Sequence, residues 1–534
     1  MGAPSGLSHG RDVFRMVHVV ALTLCAVALP WSKAVLSMAQ MLLLANWLVE
    51  GVVRADLKGR FLRAFTTAPQ LVFLSLFALH VVGLLWTDDT GWGTSLVRIL
   101  LPVLVFGVVL GSVPRLAPGE LRWVLLAGAW SVVASTVVSL VARKGITSDY
   151  RSLAVFVSHI RLTLLLCLAV VVFVWDRGGP AWSRILGYLA AAWSIFFIDR
   201  LGSIQGQFIM VVIAMVFLWR GVGRYGRALR LGVRALLVLA PLALLVIGWV
   251  EVRHRYRLPD TASIIPFERT PGGEYYQHDL NNPQQENGHH VWTYVAMDEL
   301  KRGWARRSDR SFDGRDEKGH DLWSTLVRYM ASKGLRKDSV GLMVLTDADI
   351  RAVERGQTNA HPDRWGGVSA RFDEVVFELQ QYHAMGAADG HSVSMRLEYL
   401  RTGLIIAKEN WSCGVGTGDT EQEFQRAYER SGTRLSPKWR HRAHDQYLTW
   451  WISFGVVGML WCLFAIVWPA HVLGAWRSPL FIAWAIIFGI SCLTDDTLET
   501  QVGATFFALY YTLFVFAAPS LNGSAPRRSV PSPA

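Results

Sequence analysis

His444-Asp445-Gln446 stands directly before a long apolar run. An imidazole at a helix start is a candidate proton acceptor, because the partial positive charge there disfavours a second proton on the ring. The free N–H groups of such an end also favour phosphate. Arg161 lies near the start of another apolar run, Arg200 lies between two more, and Arg396 opens a stretch of helical periodicity. Guanidinium groups hold a pyrophosphate by paired, charge-assisted hydrogen bonds. Ser158, His159, Asp199, Asp495, Asp496 and Glu499 sit at similar boundaries. Polar groups there are costly to bury, which makes them functional suspects. The chemistry they suit is proton removal from a hydroxyl beside a pyrophosphate. Each also has a structural reading. Arg161 could snorkel to an interface. Asp199 and Arg200 could form a local ion pair. The acidic trio could cap a hairpin or pair with an arginine. His444 could be a helix cap.

The elements that carry these residues are apolar. Of 534 residues, 52% are hydrophobic and only 18% charged, with 23 Trp. Soluble domains carry about 25% charged residues. Runs long enough to span a bilayer fall near 14–31, 34–52, 68–86, 95–112, 121–142, 153–175, 183–199, 202–219 and 234–250, then near 446–469, 478–494 and 500–518. The first imitates a signal peptide, with Arg11 and Arg15 before it. Many runs follow, so it reads as a first membrane helix. The expected fold is an all-α polytopic membrane protein of about twelve transmembrane helices. One large, mainly helical extracytoplasmic insert precedes the last three helices.

The formal charge of +12 could suggest nucleic acid. No zinc-ribbon, helix-turn-helix or RNA-binding pattern accompanies it. The basic residues instead fill alternate short loops, as the positive-inside rule requires. Arg54, Lys58, Arg60 and Arg63 form one cluster, and Arg220, Arg224, Arg227, Arg230 and Arg234 another. Arg115 and Arg122, Arg177 and Arg184, and Arg527 and Arg528 follow the same alternation. Arg143, Lys144 and Arg151 break it. With the N-terminus inside, the expected domains are 1–250 (nine helices), an extracytoplasmic insert at 251–445, 446–519 (three helices) and a disordered cytoplasmic tail at 520–534.

Within the insert, 293–307, 321–335 and 370–385 have helical periodicity. His289, His290 and Glu286 are too few for a closed metal site. Leu397, Leu400, Leu404 and Ala407 share one face of a helix over 393–411, which predicts packing on the membrane part. Gly414-Val415-Gly416-Thr417-Gly418-Asp419 follows. It lacks the lysine and preceding strand of a nucleotide-binding loop. A phosphate cradle and a tight turn both fit it. Four of the five cysteines lie in apolar runs and only Cys413 in the insert, so no disulfide can form within the insert.

These residues resemble the O-antigen ligase family, which also holds O-antigen polymerases and O-linked oligosaccharyltransferases. The likeness runs through Arg396, Gly414-Val415-Gly416-Thr417-Gly418, His444-Asp445-Gln446-Tyr447-Leu448 and Gly455-Val456-Val457-Gly458, with Ser158-His159-Ile160-Arg161 as a further variant. Members often carry Ser-Arg-Gly where this chain has Asp199-Arg200-Leu201-Gly202. The insert is also longer than in a plain ligase. The resemblance implies inverting, metal-independent glycosyl transfer without a cofactor, at the periplasmic face of a bacterial inner membrane. The donor would be a glycan on undecaprenyl pyrophosphate; the acceptor would be lipid A-core, another glycan or a protein. His444, Arg396, Arg200 and Arg161 take the catalytic roles. His159, Asp445, Gly416, Gly418 and Tyr447 would bind substrate. The other partners expected are membrane lipids. A transporter is a competing class, but it would place charge at the bilayer midplane and in two matching halves.

Overall fold

The computed structural model describes residues 13–142, 153–255, 264–265, 267–282, 284–360, 375–380, 382, 386, 388–390 and 392–519. Arg11, Arg143, Lys144, Arg151 and the tail 520–534 lie outside the described residues, and so does most of 370–385. The chain forms two compact units: Met1–Arg224 with Thr402–Ala427 and His441–Ala534, and Tyr225–Arg401 with Tyr428–Arg440.

The first unit opens with α1 (Val13–Ala28), α2 (Lys33–Val53), α3 (Leu57–Thr66), α4 (Ala68–Val82), α5 (Thr90–Ser112), α6 (Pro118–Ala142), α7 (His159–Trp175), α8 (Ala181–Arg200) and α9 (Ile204–Gly221). The second holds α10 (Arg227–Arg255), the hairpin β1 (Gln285–Glu286) and β2 (His289–His290), α11 (Met297–Trp304), α12 (Leu322–Ser332), α13 (Ser339–Val344) and α14 (Asp347–Glu354). Helices α15 (Ser392–Glu409) and α16 (Thr420–Ser431) each run across a unit boundary. The first unit closes with α17 (Gln446–Val472), α18 (Pro479–Cys492) and α19 (Gln501–Thr512), the last continued by a π-helical turn, Leu513–Ala517.

Every one of the twelve apolar runs forms a helix. Among the described residues, eight helices are long and apolar enough to cross a membrane; α1, α7, α18 and α19 are shorter. The chain is an all-α, multi-pass membrane protein. Helix α3 was not expected, since its segment reads as a basic loop. Its apolar residues, Phe61, Leu62 and Phe65, are interleaved with Lys58, Arg60 and Arg63. Such a mixed sequence is too short and too charged to span.

Helices α7 and α19 occupy the centre of the first unit. All residues from Arg161 to Phe173 and from Val502 to Thr512 are buried. That is why both are apolar all round, without a polar face. Aromatic rings knit α19 to its neighbours: Phe73 stacks on Tyr511 at 4.6 Å and Phe488 packs on Phe507 at 4.8 Å.

Helix α15 corrects an expectation. Leu397, Leu400 and Leu404 are exposed, and of the predicted stripe only Ala407 is buried. The buried face is instead Glu398, Tyr399, Thr402, Ile406 and Ala407. Polar partners decide this: Glu398 accepts hydrogen bonds from Tyr382 and from Thr433 Oγ1, the latter at 2.8 Å. Apolar periodicity alone could not register that contribution.

Helix α17 is broken at Gly455, whose φ of 67° and ψ of −179° only glycine adopts readily. The irregular segment 411–416 fills the break. Val415 N–H donates to Ile452 O at 2.9 Å, Gly416 N–H to Ser453 O at 2.9 Å and Val456 N–H to Trp411 O at 2.8 Å. Irregular backbone at membrane depth persists only where protein satisfies it. A Cβ on Gly455 would lie 2.1 Å from Ser412 O, and one on Gly414 2.3 Å from the Ser453 carbonyl carbon. Gly455→Ala is therefore expected to destabilise the protein by about 2–3 kcal/mol. Gly119→Ala, where a Cβ meets nothing within 4 Å, should be neutral. Thermal melting of the two purified variants in detergent measures the difference.

Candidate functional site

The turn between α18 and α19 gathers polar side chains from several helices of the first unit. Arg161, at the start of α7, is 5% exposed. Its Nε donates to Thr500 Oγ1 at 2.9 Å, and a terminal nitrogen makes a short ion pair with Asp495. From α17, Thr449 Oγ1 donates to Asp496 at 2.7 Å, and Gln446 Oε1 accepts from Leu498 N–H at 2.8 Å. Arg442 pairs closely with Glu499 and, at 3.3 Å, with Glu421. Gln205 of α9 donates to Thr494 Oγ1 at 2.7 Å.

His444 faces this turn. Its Nδ1 lies 3.8 Å from Asp495 Oδ1, and its ring is nearly half exposed. The backbone is in the left-handed region, with φ 52°. A non-glycine residue held there costs energy that the surrounding contacts must offset. One contact is the next residue: Asp445 caps α17, its carboxylate accepting Leu448 N–H at 3.0 Å. Burial would raise the Asp495 carboxyl; the His444 imidazole and Arg161 guanidinium outweigh it and hold the group below the usual carboxylate range. Burial dominates at Asp445 and lifts its carboxyl despite the capping hydrogen bonds. Asp495 thus stays ionised between a buried cation and an imidazole. That arrangement places Nδ1 of His444 toward the carboxylate.

The structure joins some expected residues and separates others. Arg161 and His444 meet through their shared partner Asp495. Arg200 pairs with Asp199 at 2.5 Å, and both are half exposed. Their turn abuts the same segment through Gln205 and Thr494. His159 is the first residue of α7, capped by Ser158. Arg396 is exposed on α15, in the second unit. The Tyr447 hydroxyl donates to Gly489 O at 2.9 Å, tying α17 to α18. Gly416 and Gly418 already have partners: their N–H groups donate to Ser453 O and to Thr87 Oγ1 at 3.2 Å. Asp419 beside them accepts from the Asp88 and Asp89 N–H groups at 2.8 and 2.7 Å. The glycine loop is a packed turn with no N–H of Gly416 or Gly418 left for a phosphate.

Arg442 escaped sequence reasoning. Its signal was its position two residues before His444. The partnership of Asp495 with His444 also escaped; the acidic trio was visible, but not which of its members meets which cation. In the second unit, Glu286 pairs with Arg328 at 2.6 Å. Asn287 and Gly288, both at positive φ, turn the hairpin that carries His289 and His290. The segment is a structural turn.

Residues 342–464 match a family model described as O-antigen ligase. That span contains Arg396, the glycine loop, His444 to Tyr447 and the break at Gly455. It stops short of Asp495 and begins after Arg161 and Arg200. No curated protein matches the chain.

Removing Asp495 strands Arg161 without its buried counter-charge. Asp495→Asn should cost roughly 3 kcal/mol near neutral pH. The folded carboxyl sits below its usual value of 3.8. Its contribution is therefore complete above that value and lost as pH falls through the lowered one. Melting curves of wild type and variant should begin to converge below pH of about 4 and meet only below the lowered value. A gap that persists unchanged into strong acid would show that the carboxylate is not the source.

Proposed function

We propose that this multi-pass membrane protein, with its O-antigen ligase domain at residues 342–464, transfers a glycan from undecaprenyl pyrophosphate to a hydroxyl acceptor. The reading places it in the bacterial inner membrane with the site on the periplasmic side. The arginine-rich alternate loops support that orientation. The acceptor proposed is lipid A-core. The observation that carries the reading is the Arg161–Asp495–His444 chain of contacts at the start of α17, inside and beside the matched span.

The chemistry is as follows. His444 accepts the acceptor's hydroxyl proton. Asp495 holds the ring and stabilises the imidazolium that forms, acting as a positioning residue. The freed oxygen attacks the anomeric carbon with inversion. The bond from that carbon to the pyrophosphate oxygen breaks, and the electron pair leaves on undecaprenyl pyrophosphate. Arg200, half exposed on a single carboxylate, is suited to hold that charge. The family resemblance gives Arg396 the same role. Arg161 is already committed to Asp495 and Thr500. Its part is to set the carboxylate that sets His444. No metal or cofactor enters this scheme, since pyrophosphate is itself a good leaving group.

A polymerase or a protein O-oligosaccharyltransferase would use the same site with another acceptor. The insert, at almost two hundred residues (251–445), is where acceptor choice would differ. A transporter fits less well, because the charges collect at a helix-end turn.

The test is glycan transfer by reconstituted protein. His444→Ala should lose more than about a hundredfold in rate. Asp495→Asn should lower kcat and shift its pH profile, with KM little changed. Arg200→Lys keeps the charge but loses the bidentate fork, and should fall steeply. Full activity of folded His444→Ala would refute the base, and inhibition by EDTA the metal-free scheme. In a deletion strain, loss of all capped lipopolysaccharide indicates a ligase, and a single-repeat band a polymerase.

A further inference from the structure

His444 stands in a strained stretch of chain. Its φ of 52° lies in the left-handed region, and the residues before it, 440–443, form no helix or strand. A non-glycine residue persists in that region only where its surroundings fix the chain. On the C-terminal side the fixing element is α17, which Asp445 caps. On the N-terminal side the first charged side chain is Arg442, separated from His444 by buried Ala443.

Arg442 is held from three directions, all within the first unit. A terminal nitrogen pairs closely with Glu499, in the turn before α19. Its Nε lies 3.3 Å from Glu421, in the first turn of α16. The guanidinium carbon lies 5.7 Å from the centre of the Trp92 ring, in the first turn of α5. These partners are themselves anchored. Asp419, just before α16, accepts the N–H groups of Asp88 and Asp89, just before α5. Gln422 of α16 donates to Asp89 at 3.1 Å. Leu498 N–H, next to Glu499, donates to Gln446 of α17 at 2.8 Å. Arg442 is 17% exposed and Glu499 9%, so salt screens this pair little. One turn thus meets both side chains: Glu499 takes Arg442, and Asp495 faces His444.

We propose that Arg442 is a positioning residue for glycan transfer, an inference that rests on the reading of His444 as the base. Its guanidinium fork clamps residues 442–444 against the 495–499 turn, so that the His444 ring stays facing Asp495. Two of its three nitrogens face Glu421 and Glu499. It acts through His444 and not on the substrate.

Glycan transfer by the full-length protein in proteoliposomes tests this, with melting in detergent reporting the fold. Arg442→Ala should lower kcat roughly thirtyfold or more, with KM within about twofold of wild type, because a small misplacement of a reacting group costs that order of rate. Arg442→Lys keeps the charge but loses the fork that reaches two carboxylates, and should restore only part of the rate. Glu421→Gln removes the more exposed partner and should lower kcat roughly two- to fivefold. Arg442→Ala leaves Glu499 without its cation and could fail to fold. In that case undiminished kcat in both Arg442→Lys and Glu421→Gln overturns the proposal. The deciding comparison is made in the His444→Ala background. There Arg442→Ala should cost no further rate, since a residue acting through His444 has nothing left to position. A loss there as large as in the wild-type background would overturn the proposal, as would wild-type kcat in folded Arg442→Ala or a raised KM with kcat unchanged. Each of these outcomes leaves His444 standing as the base. Full activity of His444→Ala itself would sink the base and the role of Arg442 with it.

Discussion

The buried pair of Arg161 and Asp495 is the contact on which the polar end of the bundle depends. An arginine at 5% exposure on a helix buried all round cannot remain without a counter-charge. Asp495 supplies it from the turn before α19, the other fully buried helix. The pair therefore pins the two central helices to each other at one end. The same carboxylate faces His444. Stability of the bundle and orientation of the candidate base thus share one side chain, and the turn around it is closed by hydrogen bonds from α17 and α9.

A second constraint acts on α17. His444 is useful only if the start of that helix is held still. The break at Gly455 admits the 411–416 segment, whose backbone bonds to residues 452 and 453. The next residues of the segment lock onto α4 and α5. Thr417 donates to His80 O at 2.7 Å, and Asp419 caps the Asp88–Asp89 backbone. The glycines of this loop serve close backbone approach. They immobilise the helix that carries the candidate base.

Both ends of the first unit pair arginine with acids. At the His444 end, guanidinium groups neutralise acids delivered by one turn. At the other end, Arg15 pairs with Glu120, Arg60 with Glu50 and Arg63 with Asp56. Both arrangements follow from the cost of bringing charge to a membrane boundary.

By itself, the sequence determined the apolar helices, eight long enough to span and four shorter among the described residues, because lipid demands long apolar runs and internally bonded backbone. It also marked His444, Arg161 and the acidic residues 495 to 499 as polar groups at helix ends. Local pattern carries no information on partners distant in the chain. Arg161 and Asp495 are 334 positions apart, and only packing of α7 against α18 brings them together. The same holds for Gly416 and Gly418, whose spacing fits a phosphate cradle but whose N–H groups the fold assigns to other protein atoms. Helix α3 and the buried face of α15 were likewise decided by tertiary partners: Glu50 and Trp47 for Arg60, Tyr382 and Thr433 for Glu398. Buried polar pairs override apolar periodicity, because a charge left unpaired costs more than an exposed leucine.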